Sequence, residues 1–330
     1  MSQTILRVEG LSKVFPVSYS VVERVQGRPR RAVRALTEVN LEVRRGETLG
    51  IVGESGCGKS TLARCLVRLY DVDSGRIVYD GLEVSGLRGA ALRQYNRRVQ
   101  MVFQDPFSSL NPRMTVGQTL REAILVHRLR KPEQVPGRIR ELLELVGLPA
   151  DAENRLPHEF SGGQRQRIGI ARALSVEPET LIADELVSAL DVSVQAQVVN
   201  LLLKLQEQLH LTVLFVAHDL RLVRHLSHRV AVMYLGRIVE LAETERLFTA
   251  PAHPYTQALL RAAPELDPSR KSVVEAVKGE LPSPLNPPTG CPFHPRCPQA
   301  FERCSKEVPA LLPRGPEGRW VACHLLEATP

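Results

Sequence analysis

The sequence of 330 residues has no long apolar run, and none of its hydrophobic stretches approaches the roughly 18 residues that a membrane-spanning helix needs. Its first residues, 1–7, lack the charged and apolar regions of a signal peptide. Both absences argue against a membrane-embedded or secreted protein, so we expect a soluble chain that stays in the cytosol. A hydrophobic fraction of 43% is ordinary for a globular protein, and the length suits two domains or one large domain with an appendage.

Aromatic residues are scarce, at 5% of the chain. The scarcity matters because 43 Lys and Arg against 36 Asp and Glu give a net charge of +7, which invites comparison with nucleic-acid-binding proteins. Here the arginines are dispersed, and the densest basic stretch, residues 24–31, is typical of a solvated loop that could also contact anionic lipid or a partner. We therefore expect no nucleic-acid partner.

Short β-like runs recur between helical stretches, which predicts an α/β core with a largely parallel sheet. The first strands lie close together in sequence without a helical crossover, so they are expected to form an antiparallel flank. Strands are predicted at Leu6–Glu9, Leu36–Val43, Thr48–Val52, Arg76–Tyr79, Val99–Phe103, Thr180–Ala183, Thr212–Val216 and Arg229–Tyr234, and helices at Thr61–Leu69, Gly163–Leu174 and Val194–Gln208.

Apolar residues recur at helical spacing within residues 104–156, which predicts a helical insert in this core. Proline becomes frequent after Ala250. We therefore expect a main domain over residues 1–250, and a small separate unit over residues 251–330 that cannot build much core of its own.

The segment from Gly53 to Ser60 matches GxxxxGK(S/T) with every fixed position filled, between an apolar run and a helix-like stretch. Glycines let backbone N–H groups wrap a phosphate chain, and the helix N-terminus adds a positive dipole end. Lys59 would reach the β- and γ-phosphates, and Ser60 would hold Mg²⁺. The predicted nucleotide-binding residues are Gly53, Ser55, Gly56, Cys57, Gly58, Lys59, Ser60 and Thr61.

Two further segments carry chemistry that fits a phosphate site. The run Thr180–Glu185 predicts a buried strand that ends in two carboxylates. Asp184 would bind Mg²⁺ through water, and Glu185 would polarise the attacking water as a general base. The segment Ser161-Gly162-Gly163-Gln164 predicts a helix start with Ser161 as N-cap, and its glycines also permit N–H groups to approach a γ-phosphate.

These segments, together with Gln104, Ser188-Ala189-Leu190-Asp191 and His218, resemble in their order the nucleotide-binding subunit of an ABC transporter, over residues 1–250. The fold implied is an ABC-type P-loop ATPase core with an antiparallel β flank, a helical insert and a small cysteine-containing C-terminal tail. The resemblance implies that ATP held by one subunit meets Ser161–Gln164 of the opposite subunit.

The resemblance also implies roles for single residues. Gln104 would be the Q-loop residue, catalytic with Glu185 and His218 and a Mg²⁺ ligand with Ser60 and Asp184. The resemblance further implies that Asp191 is the D-loop aspartate, that His218 contacts the γ-phosphate, and that Phe15 stacks on adenine. One departure is Leu186, which stands where the family usually has proline and would loosen Glu185 slightly. Every residue with a direct chemical role is present, so we expect an active ATPase.

Residues 104–113, 189–197 and 253–259 resemble the di- and oligopeptide importer group, which also contains nickel importers. The resemblance implies a peripheral subunit at the cytoplasmic face of the membrane, paired with a second ATPase that is a paralogue or another copy. The pair would dock on two transmembrane permeases fed by an extracytoplasmic solute-binding protein. A nickel or other small-solute importer, an exporter, a soluble ABC ATPase acting on DNA or ribosomes, and an inactive scaffold are the alternatives.

Four of the six cysteines, Cys291, Cys297, Cys304 and Cys323, cluster near the C-terminus, whereas Cys57 and Cys65 read as small buried residues. In a cytosolic chain disulfides are not expected, so a metal is favoured. Four thiolates suit either Zn²⁺ or an iron–sulfur cluster, and the lack of a CxxC pair weakens a zinc ribbon. The resemblance favours a structural 4Fe–4S cluster, with Zn²⁺, for which His294 and His324 would compete as ligands, or unligated thiols as alternatives.

Overall fold

The computed structural model describes residues 3–17, 31–105, 110–262, 279–315 and 318–326. Residues 24–30 of the basic stretch and residues 106–109 of the importer-like stretch, both singled out in the sequence, lie outside these ranges. Within the described ranges, no helix combines the length and apolar character needed to cross a membrane.

The chain forms two compact units. We call the first, made of Thr4–Glu42, Leu49–Ser85 and His218–Pro330, the phosphate-loop unit. The second, made of Met1–Gln3, Val43–Thr48 and Gly86–Ala217, is the helical unit. The division into residues 1–250 and 251–330 stays a prediction.

Strands and helices alternate along much of the chain. The strands are β1 (Thr4–Pro16), β2 (Ala32–Arg44), β3 (Thr48–Val52), β4 (Ser74–Tyr79), β5 (Leu82–Glu83), β6 (Val99–Val102), β7 (Thr180–Asp184), β8 (Thr212–Val216), β9 (Arg229–Tyr234), β10 (Arg237–Glu243), β11 (Leu312–Pro313) and β12 (Trp320–Val321). The α-helices are α1 (Lys59–Leu66), α2 (Gly89–Arg98), α3 (Val116–Val126), α4 (Val135–Leu145), α5 (Gly162–Leu174), α6 (Val192–Leu209), α7 (Leu220–Leu226), α8 (Thr244–Thr249), α9 (Pro254–Ala262) and α10 (Glu302–Lys306).

The phosphate-loop unit contains the antiparallel flank, in the order β2-β1-β4-β5. Strands β1 and β4 run antiparallel, with Leu6 opposite Tyr79 and Val8 opposite Ile77. All four of these side chains are buried, so one face of the flank packs into a core through cross-strand pairs. The predicted antiparallel flank is confirmed.

In the same unit β3 runs parallel to β9, and β9, β10, β12 and β11 follow in antiparallel order. A two-residue hairpin joins β9 to β10, because Tyr234 pairs with Arg237. Leu235 and Gly236 both have positive φ, 43° and 75°, which is the geometry whose twist matches the flanking strands. Strand β10 was not predicted from the sequence.

The helical unit holds β6, β7 and β8 side by side and parallel. Every residue of β7 and β8 is buried, as expected for parallel strands covered on both faces. Helices α3, α4 and α5 contact one another beside these strands, and α6 contacts α5. The α/β fold class is therefore confirmed, with the helix-rich segment where the apolar spacing predicted it. Helix α2 was missed because only Tyr95 along it is buried, which leaves little apolar periodicity.

Candidate functional site

The phosphate loop joins β3 to α1 through residues 53–58. Three of its glycines, Gly53, Gly56 and Gly58, have φ of 153°, 80° and 107°, a range that side chains rarely adopt. At Gly58 a Cβ would lie 2.4 Å from the carbonyl oxygen of Ala35, so only glycine fits there. Ser55 is exposed at the tip of this loop.

Lys59 begins α1 and folds its side chain back over the loop. Its Nζ donates hydrogen bonds to the carbonyl oxygens of Gly53 at 2.8 Å and Glu54 at 3.1 Å. The residue is only 4% exposed, so the loop carries a buried positive charge. Ser60 and Thr61 follow in the first turn, half-buried, where the helix dipole also favours an anion. The chemistry of the loop suits a phosphate chain.

Cys57 is buried inside the loop, and burial raises the pKa of its thiol. Its peptide carbonyl accepts a hydrogen bond from Gly236 N–H at 2.8 Å. This thiol is a packing residue of the loop, as expected for a small buried side chain.

The loop is also held by residues that the sequence did not single out as a site. Arg296 donates two hydrogen bonds to the carboxylate of Glu54, from Nη1 at 2.6 Å and from Nη2 at 2.9 Å. The hydroxyl of Tyr255 accepts a hydrogen bond from Glu54 N–H at 2.9 Å. Tyr255 lies in the importer-like stretch 253–259, and Arg296 directly precedes Cys297. Nothing in the local sequence at either position predicts a contact with the phosphate loop.

In the helical unit, Gln104 and Glu185 meet at the end of β7. The amide Nε2 of Gln104 donates to Glu185 Oε2 at 2.7 Å and to Ser188 Oγ at 3.3 Å. Asp184, the last residue of β7, is 2% exposed, whereas Glu185 is half-buried. The structure thus brings a buried carboxylate and an amide-oriented carboxylate together at the carboxyl end of a parallel strand, where ligands of α/β sheets bind.

Glu185 adopts φ of 47°, which is uncommon for a residue with a side chain. Both of its peptide groups are nevertheless held: its N–H donates to Val216 O at 2.9 Å, and its carbonyl accepts from Ser188 N–H at 3.1 Å and Ser188 Oγ at 3.0 Å. Leu186, which replaces the usual proline, is buried. The backbone at Glu185 is therefore fixed by hydrogen bonds and packing that require no proline.

Ser161 is the N-cap of α5. Its hydroxyl accepts from Gln164 N–H at 3.3 Å, and its own N–H donates to Gln164 Oε1 at 3.0 Å, so the two residues form a capping box. Gly162 and Gly163 follow, and a Cβ at Gly163 would lie 2.3 Å from Cγ1 of Val194 in α6. Asp191, the exposed N-cap residue of α6, lies three positions before Val194. The close packing of α5 against α6 is therefore one reason why residue 163 is glycine.

His218 and Phe15 belong to the phosphate-loop unit. His218 is exposed, immediately before Asp219, whose carboxylate caps α7 by accepting from Arg221 N–H at 2.9 Å. Hydrogen bonds from Arg221 lower the pKa of Asp219. Phe15 is half-buried, and its ring meets Tyr70 edge-on with centroids 5.2 Å apart. Predicted site residues thus fall into two groups, one in each unit.

The C-terminal cysteines lie together in the phosphate-loop unit. One cavity is lined by all four of them, with His294 and His324 among its other lining residues. Burial raises the pKa of Cys297 and Cys323, and that of Cys291 to about 11. The lining cysteines are Cys291, Cys297, Cys304 and Cys323.

Each of the two histidines uses one ring nitrogen in a contact with a backbone carbonyl. His294 Nδ1 lies 2.9 Å from Cys291 O, and His324 Nε2 lies 3.0 Å from Glu307 O. Across the described parts of the chain, no group of three or more His, Cys, Asp or Glu side chains is arranged to hold a metal ion. The four cysteines share a cavity, but no metal-binding group is found among the described residues, so the metal site stays a prediction.

Comparisons with known proteins bear on both units. Residues 36–188 match the family model described as ABC transporter, and residues 239–304 match the one described as oligopeptide/dipeptide transporter, C-terminal region. The chain is 53% identical, over 98% of its length and 91% of the relative's, to the probable peptide ABC transporter ATP-binding protein y4tS of Sinorhizobium fredii. It is 50% identical, over 98% of both chains, to the oligopeptide transport ATP-binding protein AppF of Bacillus subtilis.

Among solved structures, a dimeric ATP-binding cassette in a post-hydrolysis state bound to ADP and Pi is similar. It shares 27% identity with a TM-score of 0.62, covering 73% of this chain and 99% of that one. The similarity extends over most of the chain.

Proposed function

The chain belongs to the ABC transporter family, as the ATP-binding, ATP-hydrolysing subunit of a peptide or oligopeptide importer, and on that premise we propose how it works. Hydrolysis by this subunit drives di- and oligopeptides through two transmembrane permease subunits, which an extracytoplasmic solute-binding protein supplies. The subunit sits peripherally at the cytoplasmic face of the membrane, paired with a second ABC ATPase that is a paralogue. The observation that carries the proposal is the presence, in one chain, of both the cassette motifs and the oligopeptide-type C-terminal region.

In the proposed site, the phosphate loop binds the triphosphate of ATP. The ammonium of Lys59, now held by two loop carbonyls, turns to the β- and γ-phosphates, and backbone N–H groups from Ser55 to Thr61 line the chain of phosphates. Phe15 stacks on the adenine, and His218 contacts the γ-phosphate. Ser161–Gln164 of one subunit face the ATP of the other, next to Asp191, so that ATP closes the pair.

The cation that accompanies ATP has suitable ligands in this chain. A hydroxyl from Ser60, an amide oxygen from Gln104 and a carboxylate from Asp184 are hard oxygen donors, which Mg²⁺ prefers. Asp184 is the last residue of β7, so its carboxylate lies at the carboxyl end of a parallel strand. When bound, Mg²⁺ neutralises charge on the phosphates.

Glu185 is proposed to act on the attacking water. Its carboxylate is oriented by the hydrogen bond from Gln104, and its backbone is held at both peptide groups. Phosphoryl transfer depends mainly on positioning and on stabilising charge, so a general base fixed in this way fits the reaction. Gln104 also begins the helix-rich segment, and we propose that it relays the nucleotide state to the permeases.

Transport itself tests the proposed function. The subunit should be purified with its two permeases and its partner ATPase, and the complex placed in lipid vesicles with the solute-binding protein outside and ATP inside. Labelled di- and oligopeptides are expected to accumulate in the vesicles only with hydrolysable ATP. Vesicles loaded with a non-hydrolysable ATP analogue serve as the control. ATP-dependent accumulation of Ni²⁺ without peptides would replace the peptide assignment with the nickel alternative.

We propose that Cys291, Cys297, Cys304 and Cys323 hold a 4Fe–4S cluster with a structural role. The support is that the four thiols line one cavity in a segment of little regular structure, and that such a cluster takes four cysteine thiolates. A cluster would tie down a proline-rich segment that buries too little apolar surface to order itself.

Iron analysis tests the cluster. Protein purified without oxygen is expected to contain about four iron atoms per chain and a broad visible absorption band from thiolate ligation to iron. Cys304→Ser should remove most of the iron and the band. Cys65→Ala, a change at a buried cysteine in α1, should leave both intact. Stoichiometric zinc without iron in the parent protein would assign the site to Zn²⁺ instead.

A further inference from the structure

All the polar groups of Glu54 are engaged, and two of its four partner residues come from the C-terminal part of the chain. Its carboxylate receives the two hydrogen bonds from Arg296, and its N–H donates to the hydroxyl of Tyr255. Its carbonyl accepts from Lys59 Nζ at 3.1 Å and from Cys57 N–H at 3.2 Å. Glu54 therefore links the interior of the phosphate loop to residues about two hundred positions away in sequence.

Arg296 makes this link from a dry environment. Its side chain is 5% exposed, against 25% for that of Glu54, and it also donates to the hydroxyl of Tyr234 at 3.3 Å while its guanidinium lies 5.8 Å from the centre of the Tyr234 ring. A planar guanidinium that binds a carboxylate with two parallel hydrogen bonds fixes both distance and orientation. Such a pair is much less screened by water than an ion pair on the surface.

A buried aromatic cluster anchors Arg296 and Tyr255, the two C-terminal partners of Glu54. Tyr234, Tyr255 and Phe293 pack ring against ring, with centroids 4.6 Å to 5.3 Å apart, and all three are nearly inaccessible to solvent. Tyr234 ends β9, which runs parallel to β3 and thus reaches the start of the loop. At Gly53 a Cβ would lie 2.2 Å from the carbonyl oxygen of Met233, so the loop backbone rests directly on the end of β9.

The same short segment carries two of the clustered cysteines. Between Cys291 and Cys297 lie the aromatic anchor Phe293 and the arginine Arg296. The order of this segment, set by the cysteine cavity on one side and the aromatic cluster on the other, fixes where Arg296 places its guanidinium. The phosphate loop is thereby joined by hydrogen bonds to the same segment that carries Cys291 and Cys297.

We propose that Arg296 and Tyr255 are positioning residues of the ATP site, which hold Glu54 so that the phosphate loop is preformed for the triphosphate. The inference rests on the proposed ATP-binding function. A glycine-rich loop released from these contacts would sample other conformations, and the fraction that is competent to bind would fall, which raises the apparent Kd in proportion. Neither residue touches the reacting atoms, so the rate at saturating ATP should be largely retained.

The test compares ATP affinity with turnover. For Arg296→Met and Tyr255→Phe we expect the Kd for ATP, and KM in the assembled transporter, to rise roughly tenfold, with kcat within about twofold of the parent. Arg296→Lys should recover part of the loss, because lysine restores the charge without the two-pronged geometry. Arg303→Met, which removes an exposed ion pair with Glu307 in the same tail, is the matched control and should change nothing.

A double-mutant cycle separates a direct link from general damage. If Arg296 acts through Glu54, then Arg296→Met combined with Glu54→Gln should bind ATP no more weakly than the worse single variant. Additive losses, or a fall in kcat at unchanged KM, would overturn the proposal. Tyr255→Phe removes one hydroxyl and keeps the ring, so it decides the matter even if Arg296→Met unfolds. A parent protein that binds no ATP would instead refute the proposed function itself.

Discussion

Glu185→Gln should lower steady-state ATP hydrolysis by the assembled transporter at least about 100-fold, the scale on which a general base contributes. The substitution keeps the size of the side chain but removes the carboxylate that Gln104 orients at 2.7 Å. Because the phosphate loop is untouched, ATP binding should stay close to that of the parent. Phosphate release with the purified complex measures the first quantity, and titration with labelled ATP measures the second.

The chain offers a matched control for this substitution. Glu177 is in the same unit, also has a positive φ, 55°, and pairs with Arg130 at the surface. Glu177→Gln should therefore hydrolyse ATP like the parent. A Glu185→Gln variant as fast as the parent would remove Glu185 from the mechanism. If ATP closes the pair as proposed, the slow variant should remain closed, and sizing it with the proposed partner ATPase should reveal association only when ATP is present. No such association would count heavily against closure by ATP.

Lys59→Met should weaken ATP binding at least about 100-fold, and with it abolish transport. The ammonium is the buried positive charge of the loop, and hydrogen bonds to charged groups contribute about 1.5–3 kcal/mol each. The same change leaves the carbonyls of Gly53 and Glu54 without this donor, so the loop also loses an internal brace. Equilibrium titration with ATP and Mg²⁺ gives the affinity.

For comparison, Lys204→Met removes an exposed lysine from α6 and should leave the Kd for ATP unchanged. Thermal unfolding of both variants shows whether Lys59→Met also destabilises the fold. Parent-like ATP affinity of Lys59→Met, in a folded protein, would mean that the triphosphate does not lie in this loop.

The sequence was enough to predict those parts of the fold in which the local residue types favour one backbone geometry. The buried strands β7 and β8 contain the apolar runs Leu181–Ala183 and Val213–Val216, and the phosphate loop is marked by glycines that adopt positive φ. Helix α1 begins at Lys59, two residues before the predicted start. Gly58, the N-cap residue, has a φ of 107°, and the helix follows it directly. Boundaries of this kind depend on backbone geometry that a motif does not display.

Long-range contacts escaped prediction for a different reason. Glu54 and Arg296 are 242 positions apart, and a glutamate in a loop next to a glycine has no local feature that names its partner. Likewise the spacing of four cysteines indicated a common site, and the shared cavity agrees with it, but the spacing does not specify what the thiols bind. Family resemblance implied that Gln104 and Glu185 serve one site, whereas the hydrogen bond between them was not predicted.

Close approach of α5 to α6 at Gly163 has a consequence for motion. Because Cγ1 of Val194 lies where a methyl group on residue 163 would otherwise be, the two helix starts are in close contact through that side chain. Rotation of α5 must therefore carry the beginning of α6 with it. Ser161, at the start of α5, and Asp191, at the start of α6, would then move together. Gly163→Ala would place a methyl group against Val194 and push the two helix starts apart.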